Sequence, residues 1–318
     1  MSNDERLDLL AQVAVLYFED GFNQDQIAKM LGKSRSMVSR MLNSSREMGL
    51  IEVHVKYALK RNYILEREIK EKYGLKDVYL LNTKNMISND LKENMLGRLS
   101  AQCISTYLKP GIKIGIGWSR TLYKAFSMMP ESPVSDSVVI QMSGSVSLKD
   151  LKFDGIDLAR MLSNKIGGQY FYCPAPLVVS SEDMKDSLLK ENMIRDVLDK
   201  AGKVDLAVLG IGNIKNKKSS LMESGLVSKD SLLEIENDIS GDLLGRQFDE
   251  NGKLLDISLN RRVIAVAPDA IKKIPTVIAV ASGVNKAGAI LSAIKGNWFN
   301  TLISDDETMK EMLRLERA

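Results

Sequence analysis

Short apolar segments that end in glycine alternate with amphipathic segments along most of this chain. From about residue 75 onward, runs such as VDLAVLGIG and TVIAVASG are rich in Val, Ile and Leu, and segments such as DGIDLARMLSNKIG and NKAGAILSAIKG separate them. The separating segments have apolar residues at helical spacing. Apolar strands that alternate with helices are typical of a parallel sheet covered on both faces. The sequence therefore predicts an α/β domain, with strands at DVYLL, IKIGIGW, SVVIQMSG, VDLAVLGIG, RVIAVAP and TVIAVASG.

The chain is long enough for two folding units. It has 318 residues, against roughly 100–200 for one domain, and 44% of them are hydrophobic, which is ample for a core. The pattern changes near residue 60, and the charged segment 61–73 predicts a connecting helix. We expect three parts: an N-terminal domain at 1–57, a linker helix at 58–74 and a larger domain at 75–318.

The N-terminal part has the pattern of three short helices. Apolar residues recur at three- and four-residue spacing over 5–18. Asn23 is an N-cap residue with Gln26 three positions on, which predicts a second helix, QDQIAKML, ending at Gly32. Ser34 can cap a third helix, RSMVSRMLNSSREM, and IEVHV follows as one short strand. This order predicts a winged helix-turn-helix.

The third helix is predicted to present a polar face to DNA. Its polar residues share one arc of about 140°, while Met37, Val38, Met41 and Met48 lie opposite. Residues 26–61 carry eight Lys or Arg against two Glu, a net charge of +6, which suits phosphates. Guanidinium, hydroxyl and amide groups suit base edges in a major groove. A solvated face of an ordinary three-helix unit is the alternative. The predicted DNA contacts are Gln24, Lys33, Ser34, Arg35, Ser36, Ser39, Arg40 and Asn43.

Composition excludes several other classes of protein. The net charge is only +3, and Cys103 and Cys173 stand far apart without CxxC spacing, which argues against a disulfide-stapled fold or a zinc ribbon. No apolar run approaches the roughly 18 residues of a membrane span, and the chain starts with polar, acidic residues rather than a signal peptide. The single histidine, His54, excludes chemistry that needs two imidazoles in one chain. We expect a cytoplasmic protein without a metal or cofactor.

Five loops with small residues point to a ligand site in the larger domain. They are GIGWSRT, QMSGS, GIGN, SGDLLGRQFDENG and ASGVNK, each predicted to follow a strand of the sheet. Ligands collect outside the carboxyl ends of parallel strands, and glycine lets a backbone approach them. The first loop opens the helix RTLYKAF with two hydroxyls and an Arg, which suits a phosphate. It matches neither GxxxxGK[ST] nor GxGxxG, so a nucleotide site is not implied.

Together these segments resemble the SorC family of bacterial sugar-responsive transcriptional regulators. The resemblance covers nearly the whole chain and rests on FNQDQIAKMLGKSRSMVSRML, GIGWSRTLYKAF, LGIGN, GDLLGRQFDENG and PTVIAVASGVNKAGAILSAIKG, followed by NWFNTLISDDETMKEML. It implies a helix-turn-helix followed by a Rossmann-like α/β effector domain related to sugar-phosphate isomerases and deaminases. It also implies a phosphorylated sugar effector, operator DNA as partner, and a homo-oligomer, a dimer or a tetramer.

The resemblance and the loop pattern together name the effector contacts. The family's glutamine falls on Gln141, its Gly-Asp pair on Gly241 and Asp242, and its lysine on Lys286. The strand end QMSGS departs from the family pattern, because Ser145 replaces a second glycine. The predicted effector contacts are Gly115, Gly117, Trp118, Ser119, Arg120, Thr121, Gln141, Gly144, Gly210, Gly212, Asp242 and Lys286.

The predicted function is therefore a DNA-binding regulator of a carbohydrate operon, controlled by a phosphorylated sugar and without enzymatic activity. The alternative is a sugar-phosphate isomerase or deaminase with an added DNA-binding domain. Proton transfer on a sugar needs a positioned acid–base pair, for which Asp249, Glu250, Asp305 and Asp306 are candidates.

Overall fold

The chain divides into two units, Met1–Ala58 and Leu59–Ala318. A computed structural model describes residues 3–51, 59–146, 153–213, 219–226 and 238–317. No helix in these ranges is long and apolar enough to cross a membrane.

The first unit is built on three helices, α1 (Asn3–Phe18), α2 (Gln24–Leu31) and α3 (Arg35–Glu47). One fully buried side chain from each helix, Val13, Ile27 and Val38, forms the centre of its core. The three predicted helices are thus confirmed. The predicted strand IEVHV lies, from position 52 on, outside the described residues.

Local signals fix where α2 begins and ends. The Asn23 side chain accepts hydrogen bonds from the backbone amides of Asp25 and Gln26, at 3.1 and 3.0 Å, and the Asn23 amide in turn donates one to the Gln26 side-chain oxygen. Such a capping box satisfies amides that a helix start leaves without partners. Gly32 then ends the helix with φ +60°, a conformation that glycine adopts without strain. The turn between α2 and α3 is therefore set by its own sequence.

The second unit begins with the linker helix, α4 (Tyr63–Tyr73), followed by a seven-stranded sheet. All pairings between neighbouring strands of this sheet are parallel, as predicted. The strands are β1 (Asp77–Leu81), β2 (Lys113–Ile116), β3 (Val138–Gln141), β4 (Gln169–Phe171), β5 (Leu206–Gly210), β8 (Thr276–Val280) and β9 (Thr301–Asp305); a separate hairpin comprises β6 (Gly241–Leu243) and β7 (Arg246–Phe248).

Helices cover the sheet and complete the core of the second unit. Every residue of β8 and β9 is buried, as expected for strands that are packed on both faces. The covering helices are α5 (Asn89–Ser105), α6 (Arg120–Ser127), α7 (Gly155–Ile166), α8 (Glu182–Lys190), α9 (Asn192–Ala201), α10 (Ser220–Glu223), α11 (Ser258–Arg261), α12 (Pro268–Ile271), α13 (Ala287–Lys295) and α14 (Asp306–Arg317), with a 3-10 turn at Val284–Lys286.

The order of the strands creates a point where the winding of the sheet reverses. Across the sheet the order is β1, β9, β8, β5, β2, β3, β4. From β2 the chain proceeds to β3 and β4 on one side, and from β5 it proceeds to β8 and β9 on the other. Open α/β sheets bind ligands outside the carboxyl ends of the strands at such a reversal. The loops after β2 and β5 are therefore the candidate position for a ligand site.

Two of the sequence predictions about strands are wrong. RVIAVAP is no strand of the sheet, because Val263 and Ala265 form only isolated bridges and the buried Arg246 guanidinium binds the carbonyls of Ala265 and Val266 at 2.9 Å. SGDLLGRQFDENG is not a loop after a sheet strand but the antiparallel hairpin β6–β7. Leu244 and Gly245 both have positive φ, +50° and +81°, as a tight two-residue hairpin turn requires.

Candidate functional site

The loops after β2 and β5 meet at the point where the winding reverses. After β2, Ser119 caps α6 by accepting a hydrogen bond of 3.0 Å from the Leu122 amide. After β5, Gly210 lies so close that a Cβ there would be 3.1 Å from the Ser119 hydroxyl oxygen. The start of α6 therefore lies beside the loop after β5, and we call the space between the two loops the cleft.

The hairpin β6–β7 closes one side of this cleft. The backbones of Gly212 and Asp242 exchange two hydrogen bonds, of 2.9 and 3.1 Å. A Cβ on Gly212 would collide with the Asp242 carboxylate, so glycine is needed for this close approach. The turn of the hairpin packs over β2, because a Cβ on Gly117 would be 3.2 Å from Leu244. The hairpin thereby brings Asp242 to the carboxyl end of the sheet.

Lys286 enters the cleft from the loop after β8. Its ammonium donates a hydrogen bond of 2.9 Å to the Ile211 carbonyl in the loop after β5. The Asn213 side chain donates one of 2.6 Å to the Asn285 carbonyl and joins the same two loops a second time. Lys286 therefore lies beside the Gly210–Asn213 segment, on the side of the cleft formed by β5 and β8.

Asp242 and Lys286 perturb each other's ionisation. Burial raises the pKa of the Asp242 carboxyl to about 6, although the Lys286 ammonium opposes this increase. Burial likewise lowers the pKa of Lys286, while Asp242 acts in the opposite direction and Arg120 adds to the decrease. Each charge thus favours the ionised form of the other against the effect of burial. A buried carboxylate and ammonium of this kind can bind hydroxyl and anionic groups of a ligand.

Arg120 is the exposed cation of the cleft. It is the first residue of α6, and its guanidinium lies 3.5 Å from the Glu223 carboxylate, with 44% of each side chain exposed. Thr121 and Trp118, on either side of this position, are half-buried. Among the residues that the structure describes, the cleft therefore combines a helix start, two hydroxyls and two cations with one buried carboxylate.

We predict that Gly212→Ala disrupts the cleft. The methyl group would force the Asp242 carboxylate aside, and such overpacking lowers the free energy of unfolding by about 1–3 kcal/mol, which urea unfolding measures. Gly288→Ala is the matched control, because its Cβ would meet nothing closer than 4.0 Å and alanine favours the helix. Equal stabilities of the two variants would contradict this close approach.

Three of the predicted effector residues have different surroundings. Gly115 lies within β2, where a Cβ would be 2.6 Å from the Met142 sulfur. Gln141 is 1% exposed, and its amide binds the Cys173 amide at 3.1 Å and the Ser145 hydroxyl at 3.2 Å. Gly144 packs against the backbone of Ala175 and Pro176. These three residues shape the end of β3. The other predicted effector residues surround the cleft: Gly117, Trp118, Ser119, Arg120, Thr121, Gly210, Gly212, Asp242 and Lys286.

Two further residues of the cleft, Asn213 and Glu223, were not predicted from the sequence. Asn213 belongs to the GIGN motif, but nothing in the motif indicates that its amide joins the loop after β8. Glu223 is about a hundred residues from Arg120 in sequence, and no spacing signal links them.

Three of the four candidate acid–base residues accept hydrogen bonds from backbone amides, and the fourth, Glu250, is exposed. The Asp249 carboxylate accepts hydrogen bonds of 2.9 Å from the amides of Asn251 and Lys253 within a turn. Asp305 and Asp306 accept hydrogen bonds at the start of α14. Within the described ranges, no group of three or more His, Cys, Asp or Glu side chains could hold a metal ion.

The first unit exposes the residues that were predicted to contact DNA. Val38, Met41 and Leu42 of α3 are buried, and the polar face opposite them is accessible. Met37 and Met48, which were expected opposite the polar face, are not buried like these three residues but 41% and 48% exposed. Ser34 caps α3 through a hydrogen bond of 3.3 Å from the Met37 amide. The exposed or half-buried residues are Gln24, Lys33, Ser34, Arg35, Ser36, Ser39, Arg40 and Asn43.

Comparison with known proteins gives a consistent result for the whole chain. Residues 57–314 match the family Sugar-bind, described as "Putative sugar-binding domain". The chain is 30% identical over 312 residues to the transcriptional regulator LsrR of Enterobacter sp. (strain 638), covering 97% of this chain and 93% of that protein. It is 24% identical over 309 residues to the deoxyribonucleoside regulator of Bacillus subtilis, covering 97% and 98%.

A solved structure shares the fold. The full-length sorbitol operon regulator SorC from Klebsiella pneumoniae matches with a TM-score of 0.72 at 23% identity, covering 98% of this chain and 100% of that chain. The relatives and the structural neighbour are named as transcriptional regulators, not as enzymes. The resemblance that was inferred from the motifs is confirmed.

Proposed function

Because the chain belongs to the Sugar-bind family of SorC-type regulators, we propose that it is a DNA-binding transcriptional regulator of a carbohydrate operon, controlled by a phosphorylated sugar. The cleft at the carboxyl ends of β2 and β5 is its effector site. The first unit is a helix-turn-helix that binds operator DNA. In this proposal the alternative of an isomerase or deaminase is set aside, because three of its four candidate acids and bases bind backbone amides and the relatives are named as regulators.

The convergence of Arg120, Asp242 and Lys286 on one cleft is the observation that carries this proposal. The effector's phosphate binds the first turn of α6, where the amides and the Arg120 guanidinium meet an anion favourably. Asp242 accepts hydrogen bonds from sugar hydroxyls, and Lys286 donates to the sugar or its phosphate. Ser119 and Thr121 supply hydroxyls at the helix start, Trp118 supplies an apolar wall, and the glycines let the backbone approach.

Operator binding follows from the exposed face of α3. Arg35 and Arg40 read bases or bind phosphates in a major groove, while Ser34 and Lys33 contact the backbone at the helix start. Two such helices must lie about one helical turn of DNA apart, which requires at least a dimer. The protein is therefore proposed to act as a homo-oligomer, a dimer or a tetramer.

A thermal-shift screen tests the effector class. The purified protein is heated with a panel of hexose, pentose and polyol phosphates and with each unphosphorylated parent. We expect at least one phosphorylated compound to raise the Tm, since a ligand at 100 times its Kd stabilises a fold by about 2.7 kcal/mol. Arg120→Ala is expected to remove most of that shift. Stabilisation by unphosphorylated parents alone, or by no compound, would contradict the proposal.

Effector binding is predicted to weaken as the pH falls from 7.5 to 5. Asp242 has a pKa of about 6, so its carboxylate is ionised at pH 7.5 and largely protonated at pH 5. Protonation removes both an acceptor for sugar hydroxyls and the counter-charge of Lys286. Calorimetric titration across this range measures the loss of affinity.

Asp242→Asn is the control for this pH dependence. A phosphate monoester also titrates near pH 6, so part of the wild-type dependence comes from the effector itself. The asparagine variant should retain that part and lose the rest, giving weak binding with a shallower slope. Identical slopes for the two proteins would show that Asp242 does not titrate in the effector site.

A further inference from the structure

The loop that carries Lys286 is bound to the first turn of α14. The Gly283 amide donates hydrogen bonds to the Thr308 hydroxyl at 2.8 Å and to the Asp305 carboxylate at 3.4 Å. Gly283 has φ +105°, which favours glycine, and the Lys286 amide donates back to its carbonyl at 2.8 Å. Two hydrogen bonds therefore connect Gly283 with Asp305 and Thr308, and a third holds Lys286 in the same turn as Gly283.

Asp305 and Thr308 form a rigid unit at that end. The two oxygens of the Asp305 carboxylate bind the Thr308 amide at 2.8 Å and the Thr308 hydroxyl at 2.7 Å. The two residues are 7% and 0% exposed. Buried side chains with all these partners have little freedom, so a shift of Gly283 is transmitted to the start of α14.

The next residue, Asp306, connects the same helix turn to the other side of the unit. One oxygen of its carboxylate accepts hydrogen bonds from the Thr83 amide at 2.9 Å and the Thr83 hydroxyl at 2.7 Å. The other oxygen accepts from Lys310 at 2.8 Å and from the Asn62 side chain at 3.4 Å. Although burial opposes it, the hydrogen bonds from Lys310 and Thr83 hold the pKa of Asp306 below its usual value.

Asn62 belongs to the segment through which the chain enters the second unit. It caps the linker helix α4, with a hydrogen bond of 3.2 Å from the Leu65 amide. Residues 60–62 also pair with the end of β1, since the Asn62 amide donates to the Leu80 carbonyl and the Asn82 amide to the Lys60 carbonyl. The segment 59–66, here called the linker root, is therefore held by β1 and by Asp306.

We propose that the first turn of α14, Asp305–Thr308, couples the effector site to the linker root. Asp305 and Thr308 are positioning residues for the Lys286 loop, and Asp306 positions Asn62. This inference rests on the proposed function for its purpose, because the linker root leads to the unit that would bind DNA. The route runs from Lys286 through Gly283 to Asp305 and Thr308, along the backbone of the helix turn to Asp306, and from there to Asn62.

Hydrogen exchange of the ligand-free protein tests the connection in both directions. Thr308→Val removes the hydroxyl on the effector side, and exchange is measured over the linker root. Thr83→Val removes the hydroxyl on the linker side, and exchange is measured over 281–286. We expect exchange about two- to tenfold faster at each distant segment, the effect of losing one hydrogen bond.

A matched control and a rescue variant separate coupling from general loss of stability. Thr301→Val removes a fully buried hydroxyl at the opposite end of β9 and should leave both segments at the wild-type rate. Thr308→Ser keeps the hydroxyl and should restore the wild-type rate. Faster exchange confined to the mutated side, with the distant segment unchanged, would overturn the proposal.

A second arm uses the phosphorylated compound that raises the Tm most in the thermal-shift panel. It should slow exchange over the linker root in the wild type and in Thr301→Val, but not in Thr308→Val. Protection of the linker root that survives in Thr308→Val contradicts the coupling. If no compound of the panel binds the wild type, the proposed function fails. The exchange rates of the ligand-free variants would still show whether the Lys286 loop and the linker root are coupled.

Discussion

Replacing Lys286 with methionine is expected to weaken binding of the sugar phosphate by about two orders of magnitude. A hydrogen bond from a charged donor contributes about 1.5–3 kcal/mol, and methionine cannot donate one to the effector. The Asp242 carboxylate would lose its counter-charge, so its pKa would rise further and it would become less able to accept hydroxyl hydrogens. Methionine is similar to lysine in length, so the 3-10 turn should be retained. Calorimetric titration measures the change.

Lys295→Met is the matched control for this variant. Lys295 is the exposed last residue of α13, the helix that begins directly after Lys286. The same substitution there should leave the affinity for the effector unchanged. If Lys286→Met binds the sugar phosphate as tightly as Lys295→Met, the cleft between β2 and β5 is not the effector site.

Replacing Arg35 or Arg40 with alanine is expected to reduce operator affinity by about 1–3 kcal/mol for each arginine that reads a guanine. Both side chains lie on the exposed face of α3, and the Arg35 guanidinium is only 3.9 Å from the Asp25 carboxylate with most of both side chains exposed. An ion pair of that kind contributes little, so the arginine remains available to DNA. An arginine that binds phosphate instead would lower affinity evenly across sequences and reduce the salt dependence.

The measurement uses an operator that the purified protein selects from a random DNA library. Fluorescence anisotropy at several salt concentrations then gives the affinity and the salt dependence for each variant. Arg6→Ala is the control, because Arg6 is an exposed arginine of α1 outside the predicted contacts. Folded Arg35 and Arg40 variants with the affinity, salt dependence and base preference of Arg6→Ala would refute the assignment of α3.

Local signals in the sequence were sufficient for the helices and for most of the sheet. The Asn23 box, the Gly32 stop and the Ser34 cap act within a few residues, so spacing alone predicts them. RVIAVAP was wrongly predicted as a strand of the sheet. Its alternation of Val and Ala is the same whether the segment pairs with a strand of the sheet or forms only isolated bridges. β9 was missed because TLISD ends in two buried polar residues, of which Asp305 binds a backbone amide at the start of α14.

The sequence predicted which residues belong to the candidate site better than it predicted how they are arranged in space. The glycine-ended loops and the resemblance to SorC-type regulators predicted Arg120, Asp242 and Lys286 as effector contacts. Their convergence depends on the strand order and on the hairpin β6–β7, which arise from long-range pairing. The position of Gln141 shows the limit of the motif, because its amide binds the backbone near Cys173 instead of facing the cleft.

The most direct test of this account is the operator affinity of the wild-type protein with and without its sugar phosphate. If the cleft controls the helix-turn-helix, the effector should change that affinity by about 5- to 150-fold, a typical allosteric coupling. The change should disappear in Lys286→Met and persist in Lys295→Met. A sugar phosphate that binds the cleft while the operator affinity stays the same would contradict the account.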